Sequence, residues 1–315
     1  MIHSDPIAVI TVGGKKGEFA TSAAFTTWCK DFFELQMIFT VEPIFVDSSG
    51  SSHQFRAMQQ VARRIHREWN RFHGFVVHVP DQDFLLQADL LAFMLGTVGK
   101  PVIVMAASAT AGEQNESGDY TPSALRASLL NAAQAATSEF GGVALLSSEH
   151  VVPVVLSVNS DAGIVQSATK QYIGRVDFGV QIANPSFPRI DTKPVVNTAI
   201  GEAVPVIDID TLNHSSSSSF GGAEGIIVTS SDPLPLSVTS SLPQDVPVLL
   251  VSRNGIHAYD HGQLASIDQL TPCAAQAKFI WVVGQMKSDT PILKEHSLTQ
   301  WMFHDFTHEI LPPML

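Results

Sequence analysis

Cysteine is almost missing: the chain of 315 residues has two, Cys29 and Cys273, far apart in sequence. That excludes a disulfide framework and suits a reducing compartment. Charge is also scarce, at 15% of residues, and it leans acidic, with a formal net charge of −12. An acidic surface disfavours phosphate backbones, so nucleic acid is not an expected partner. The one basic cluster, Arg63-Arg64-Ile65-His66-Arg67, lies in an amphipathic helical stretch and reads as a solvated face. No apolar run is long enough to span a bilayer, and Met1 to Pro6 lead into a strand without a signal-peptide core. The expectation is an intracellular chain, cytoplasmic or with a mitochondrial address, and no membrane partner.

Familiar chemical signatures are missing too. The turn Gly13-Gly14-Lys15-Lys16-Gly17 has neither the GxxxxGK[ST] nor the GxGxxG spacing. Twelve histidines include no HExxH and no close Cys/His set, so neither a metal nor a cofactor is expected. His257 and His261, beside Asp260, and His304 and His308 are each four apart, as on one helical face; both pairs read as solvated. No GxSxG elbow supports a hydrolase triad.

What is present is hydrophobic: 45% of residues, enough for a large core, and at this length for two domains. The chain is organised around residues 74–106, GFVVHVPDQDFLLQADLLAFMLGTVGKPVIVMA. An apolar β-branched run (74–79) is followed by the polar loop Pro80-Asp81-Gln82-Asp83. A helical period over 84–95 then stops at Gly96 and Gly99, and Pro101 opens a second buried strand. This is a βαβ unit joining parallel strands, and ligands in such sheets sit at the carboxyl ends of the strands.

Elsewhere the pattern predicts a buried strand at 7–12, a helix over 25–33, an extended stretch over 37–46 and a long amphipathic helix over 54–71. Asp47, Ser48 and Ser49 suit a helix start or a loop facing the site. A helix over 122–136 and strands over 143–147 and 151–158 follow. Prolines 185, 188, 194 and 205 mark an interdomain linker over 185–205. Beyond it, βα pairs are expected to resume, with strands at 206–209, 225–229 and 247–252, and helices at 272–284 and 301–310. Phe279 and Trp281 read as core. The fold class is α/β: a larger N-terminal domain (1–184) with a mainly parallel sheet, and a smaller C-terminal α/β domain (206–315).

Five blocks, in order, resemble the bacterial-type L-asparaginases. Val12-Gly13-Gly14-Lys15 falls where that family has TGGT. The central stretch is similar to its strand–HGTDT–helix–KPVV block, with Gly99-Lys100-Pro101-Val102 in register. Ser123 to Gln134 falls on SDGRENLLNALQ, Ala168-Thr169-Lys170 on the ATK block, and residues 270–278 on MTPEAALAKL. The resemblance implies the two-domain α/β fold, a dimer or dimer of dimers, and a mechanism. A threonine of the TGGT turn attacks the side-chain amide. A second threonine acts beside an aspartate and a lysine, assisted by a tyrosine on the N-terminal loop.

Against that pattern, Lys15 stands at the turn nucleophile and Pro80 at the threonine of HGTDT. An amine attacking an acyl carbon forms an amide that water does not readily release. Proline has neither a hydroxyl nor an N–H. No tyrosine precedes Tyr120, and Ala124 and Ser128 replace the family's aspartate and asparagine. Asp81 and Lys170 remain, and Ser48 matches the substrate-binding serine. Losing a nucleophile from a catalytic unit costs on the order of 10⁴-fold or more.

The resemblance and its departures imply a catalytically inactive asparaginase-fold protein with a structural or scaffolding role. Its partners would be further copies of itself, as dimer or tetramer, or a larger protein assembly. Lys15, Asp81 and Lys170 would then form a buried ionic cluster in the old pocket. Two alternatives stay open: an amidohydrolase with a site rewired around Lys15, Asp81 and Lys170, and a small-ligand sensor keeping Ser48, Asp81 and Lys170.

Overall fold

The computed structural model describes residues 6–13, 19, 21–47, 55–79, 83–106, 122–147, 150–159, 165–170, 172–176, 179–182, 188–209, 221–232, 242–243, 245–252, 255–260, 263–267, 269–287 and 297–307, with backbone alone at 122–124 and 159. Packing divides the chain into two compact units, Met1–Val196 and Asn197–Leu315.

The first unit is built on an eight-stranded sheet. Its parallel strands are β1 (Ile7–Gly13), β2 (Val41–Asp47), β3 (Phe75–Val79), β4 (Pro101–Ala106) and β5 (Gly142–Ser147). Three antiparallel strands continue it: β6 (His150–Pro153), then β9 (Gly174–Val176) and β10 (Val180–Ile182). The order across the sheet is β10-β9-β6-β5-β4-β3-β1-β2. The sheet is therefore mixed, with a parallel centre. A two-stranded pair, β7 (Ser157–Asn159) and β8 (Val165–Ser167), stands apart from it. The expected single strand over 151–158 is divided, because the chain turns through a 3-10 segment at Val154–Leu156 and the Ser157 hydroxyl donates to the Pro153 carbonyl (2.9 Å).

Among the described residues, five helices flank the sheet: α1 (Ser22–Asp31), α2 (Phe33–Ile38), α3 (Arg56–Glu68), α4 (Phe84–Leu95) and α5 (Pro122–Ala136). Helix α1 is capped by Thr21, whose hydroxyl accepts the Ala24 N–H (3.2 Å). The helix breaks at Phe32 (ψ 82°), a buried ring at the junction, and α2 resumes at once. Met37 and Ile38, read as extended, thus end a helix. The apolar run 37–39 fits either period, and local bonding such as Phe39 N–H to the Leu35 carbonyl (2.9 Å) decides it.

Alternation along the strands sorts the layers. Ile7 and Val9 of β1, Val76 of β3, and Ile103 and Met105 of β4 share one core with Phe25 and Cys29 of α1 and Leu125, Leu129 and Ala132 of α5. No described residue of α3 or α4 belongs to that core. Those two helices pack on each other, and Trp69, just after α3, stacks on Phe75 from the other side of β3 (centroids 5.8 Å). Strands β3, β4 and β5 advance in one direction across the sheet, yet α4 and α5 lie on opposite faces. The two crossovers therefore have opposite hands, and one departs from the usual right-handed rule.

Behind the sheet, Lys100 is buried, and its ammonium donates to the carbonyls of Trp69 (2.9 Å) and Phe72 (2.8 Å) over the Trp69 ring. This staple closes the turn that feeds β3. The proline-rich stretch is tied down on the same side. The Ile190 N–H donates to Gly99 (2.8 Å), and the Trp69 indole N–H donates to Asp191 (3.3 Å). Arg189 lies 2.8 Å from His73 Nε2.

The second unit is a five-stranded sheet in the order β11 (Val206–Asp208), β12 (Ile226–Thr229), β13 (Val248–Ser252), β14 (Gly255–Asp260), β15 (Gln263–Ser266). The first three are parallel and the last two antiparallel. The expected succession of βα pairs is thus replaced after β13 by two hairpins, because β13 to β15 are joined by very short loops that leave no room for a crossover. His257 consequently lies in a strand and shares no helical face with His261, which is outside the described residues.

Helix α6 (Pro272–Lys287) buries Phe279 and Trp281, as expected of core. It carries residues 197–201 as a strap. The Trp281 indole N–H donates to Asn197 (2.9 Å), the Gln285 amide to Ala199 (2.7 Å), and Gly201 N–H to the Ile280 carbonyl (2.8 Å). At Gly284 a Cβ would overlap the backbone of Ile200, so only glycine lets the strap lie flush. The last helix, α7 (Leu298–Phe303), has a Ser297–Gln300 capping box and is shorter than the expected 301–310. It stops because His304 is extended, its carbonyl accepting the buried Lys278 ammonium (2.6 Å), while Phe306 folds back to stack on Trp301.

Candidate functional site

The carboxyl ends of the central parallel strands are level. Gly13 lies opposite Asp47, Thr11 opposite His78, and Val79 opposite Ala106. Four site candidates follow these ends in sequence: Lys15 after β1, Ser48 after β2, Pro80 and Asp81 after β3. All four lie outside the described residues. Gly13 ends β1 as glycine because a Cβ there would enter the ring of Phe45.

One polar pair stands at this end of the sheet that the sequence reading did not assign to the site. Thr11 is fully buried, and its Oγ1 lies 3.0 Å from Nδ1 of His78, a hydrogen bond across β1 and β3. Both side chains share the face of Val9 and Val76. Phe19 sets its ring edge-on to His78 (6.0 Å) and packs on Phe25 and Trp28. A hydroxyl bonded to an imidazole is the geometry of an activated nucleophile. Burial of Thr11 keeps it from a substrate, so its effect is to fix the orientation of the ring at the mouth of β3. The available signal was a lone threonine in IAVITV and a lone histidine in FVVHV. Their juxtaposition is a matter of strand register.

Lys170 is the candidate whose position is described. It ends the turn after β8 in the left-handed region (φ 57°), with its N–H on the Ser167 carbonyl (3.3 Å). Ala168 N–H to Leu156 (2.8 Å) and the Ser167–Thr169 hydroxyl contact (3.3 Å) hold the turn. A non-glycine residue there costs of order 1–2 kcal/mol, so the turn is shaped against intrinsic preference. The Lys170 side chain is exposed, and the other members of the expected ionic cluster, Lys15 and Asp81, lie outside the described residues. Ser147, at the carboxyl end of β5, donates to the Val165 carbonyl (2.6 Å) and so brings the start of β8 to the same end of the sheet.

Asp47 is the exposed last residue of β2 and caps no helix, since α3 begins after Phe55 without a side-chain cap. Asp83, also left-handed (φ 55°), leads into α4 and accepts the Gln87 N–H on its carbonyl (2.9 Å). Below the site, Cys29 is sealed in the core, and burial pushes its thiol up to about 12. Among the described residues, no group of three or more His, Cys, Asp or Glu side chains could hold a metal ion. None of the described helices is long and apolar enough to cross a membrane.

Comparison with solved structures gives the same fold over nearly the whole chain. The thermostable L-asparaginase from Thermococcus kodakarensis superposes with a TM-score of 0.69 at 14% identity, covering 98% of this chain and 99% of that one. L-asparaginase I from Vibrio cholerae gives 0.61 at 18% identity, covering 98% and 100%. A probable cytoplasmic L-asparaginase from Campylobacter jejuni gives 0.68 at 14%, covering 95% and 99%. No curated protein sequence matches. The sequence model for the family described as Asparaginase, N-terminal, matches residues 7–184, more than half of the chain and the whole eight-stranded sheet. With that match the chain belongs to the asparaginase family.

Proposed function

We propose that this asparaginase-family protein does not hydrolyse amides and serves as a structural subunit of a protein assembly, in the cytoplasm by default. The observation that carries the reading is the pair of residues in sequence beyond the ends of β1 and β3, Lys15 and Pro80. The resemblance puts a threonine hydroxyl at each place. Neither replacement can attack an amide and then release the product to water. The scaffold around them supports the reading, because the sheet, both crossovers and the level strand ends are intact while the hydroxyl chemistry is gone. The test is ammonia release from asparagine and glutamine at high protein concentration. None is expected. Turnover that follows the protein through purification and disappears in Asp81→Ala overturns the proposal.

A second reading is favoured by the retention of Asp81 and Lys170 in a fold whose solved examples are titled L-asparaginases. Here Lys15 would act as general base for a water on asparagine or a related amide. It predicts a pH–rate profile governed by that amine. Full activity in Lys15→Met removes it.

A further inference from the structure

The outward row of α3 carries arginine and almost nothing else. Its exposed positions are Arg56, Gln60, Arg63 and Arg67, spaced i, i+4, i+7, i+11, one straight line along the helix. The opposite stripe, Ala57, Met58, Val61, Ala62 and Ile65, is buried, so the row cannot turn inward. At 1.5 Å per residue it runs about 16 Å. Asn70 and Arg71, both exposed, extend it.

Residues 56–71 hold five of the chain's nine arginines, no lysine, and one acid, Glu68. The segment is formally +4, and the rest of the chain is −16. A merely solvated helix alternates its charges to gain i,i+4 pairs. Here the single carboxylate lies inside, nearly buried, and draws three guanidinium groups toward one spot. Arg71 stands at 2.6 Å from it, Arg64 at 3.2 Å and Arg67 at 3.4 Å. Arg71 also forks onto both oxygens of Glu42 (2.8 and 3.0 Å). The heads of Arg67 and Arg71, at the C-terminal end of the row, are thus held in place before any partner arrives, which lowers the entropy cost of docking there. Arginine is also the basic side chain enriched at protein interfaces, because its planar fork matches a carboxylate.

We infer that the α3 row is a docking surface for a carboxylate-rich protein segment. Charge complementarity selects that partner over nucleic acid. A row of 16 Å faces a compact acidic segment, whereas a long phosphate backbone would have to lie along the −16 remainder. Two copies of the chain cannot use the row by meeting face to face about a two-fold axis, because arginine would then oppose arginine. The inference stands apart from the loss of hydrolysis: an active enzyme could carry the same row, so the ammonia assay and the test below fail independently.

The test is fluorescence anisotropy of a labelled glutamate-rich helical peptide titrated with the full chain at low and at physiological ionic strength. An RNA duplex of equal charge serves as the competing class. An acidic chain repels such a peptide everywhere except at a local basic surface. Binding is expected at low salt, weakened about tenfold at physiological salt, and lost in the double variant Arg63→Gln/Arg67→Gln. A control, Lys30→Gln/Arg175→Gln, removes the same charge from exposed positions elsewhere and should bind as the wild type does. Unchanged circular dichroism and melting temperature establish that each variant is folded. Absence of peptide binding, equal loss in the control, or tighter binding of the duplex than of the peptide would each overturn the inference.

Discussion

Replacing Gly284 by alanine should destabilise the second unit by about 3–5 kcal/mol, whereas the same change in an exposed helix interior stabilises by about 1 kcal/mol. The sign reverses because of the strap. An alanine Cβ at 284 would overlap three backbone atoms of Ile200, and backbone cannot rotate away as a side-chain tip can. Residues 197–201 must lift from α6, which stretches the bonds from Trp281 to Asn197, from Gln285 to Ala199 and from Gly201 to Ile280. Three hydrogen bonds at about 1 kcal/mol net each give roughly 3 kcal/mol. Overpacking adds about 1–3 kcal/mol, and the gain in helix propensity returns about 1 kcal/mol. The assay is urea unfolding followed by tryptophan fluorescence, to which Trp281 and Trp301 of the second unit contribute, with hydrogen exchange at the Gly201 amide as the local readout. A lower midpoint and faster Gly201 exchange are expected. A variant as stable as the wild type, with Gly201 still protected, would refute the claim that the strap depends on a missing side chain.

Lys100→Met keeps the stem but leaves the Trp69 and Phe72 carbonyls without their ammonium donor. Chemical denaturation should show a loss of about 2–4 kcal/mol in the first unit, partly offset because no charge is buried. Glu68 is held below the usual carboxylate range, chiefly by the Arg71 hydrogen bond; burial opposes this and the fields of Arg64, Arg71 and Arg67 add to it. Its stabilising effect is present above the unfolded pKa of about 4.3 and is lost as pH falls through the lower folded value, so Glu68→Gln should flatten the acid limb of a stability–pH curve. Cys29, raised to about 12, should resist iodoacetamide at pH 8 in the native chain and react in urea. The same shift makes the fold lose stability as pH climbs from about 9 toward 12, which a Cys29→Ala variant should not show.

The parts of the fold that could be read from the sequence are those where local signals and burial agree. The helix over 84–95 and the strands beside it were legible because both strands are covered on two faces and glycine or proline marks each boundary. Helix α5 was legible for the same reason, opening on Pro122 and closing before Gly141. The break at Phe32 was not, since an aromatic residue stops a helix there only through what it packs against. The hairpins β13–β14–β15 were hidden as well, because a buried apolar run looks the same whether its neighbour is parallel or antiparallel. At the site, Lys15 and Pro80 were visible as departures from a resembled pattern. The Thr11–His78 pair joins residues 67 apart in sequence through strand register, and no local rule could have found it.

The opposite hands of the two crossovers bear on where a ligand could enter. The chain leaving β1 goes to α1 on one face, that leaving β3 goes to α4 on the other, and that leaving β4 returns to the first face at α5. Wherever neighbouring strands send their chains to opposite sides, a crevice opens between them. An ordinary doubly wound sheet has one such topological switch point at its centre. Here β3 is bordered by one on each side, so the Thr11–His78 pair near its carboxyl end lies where two switch points meet.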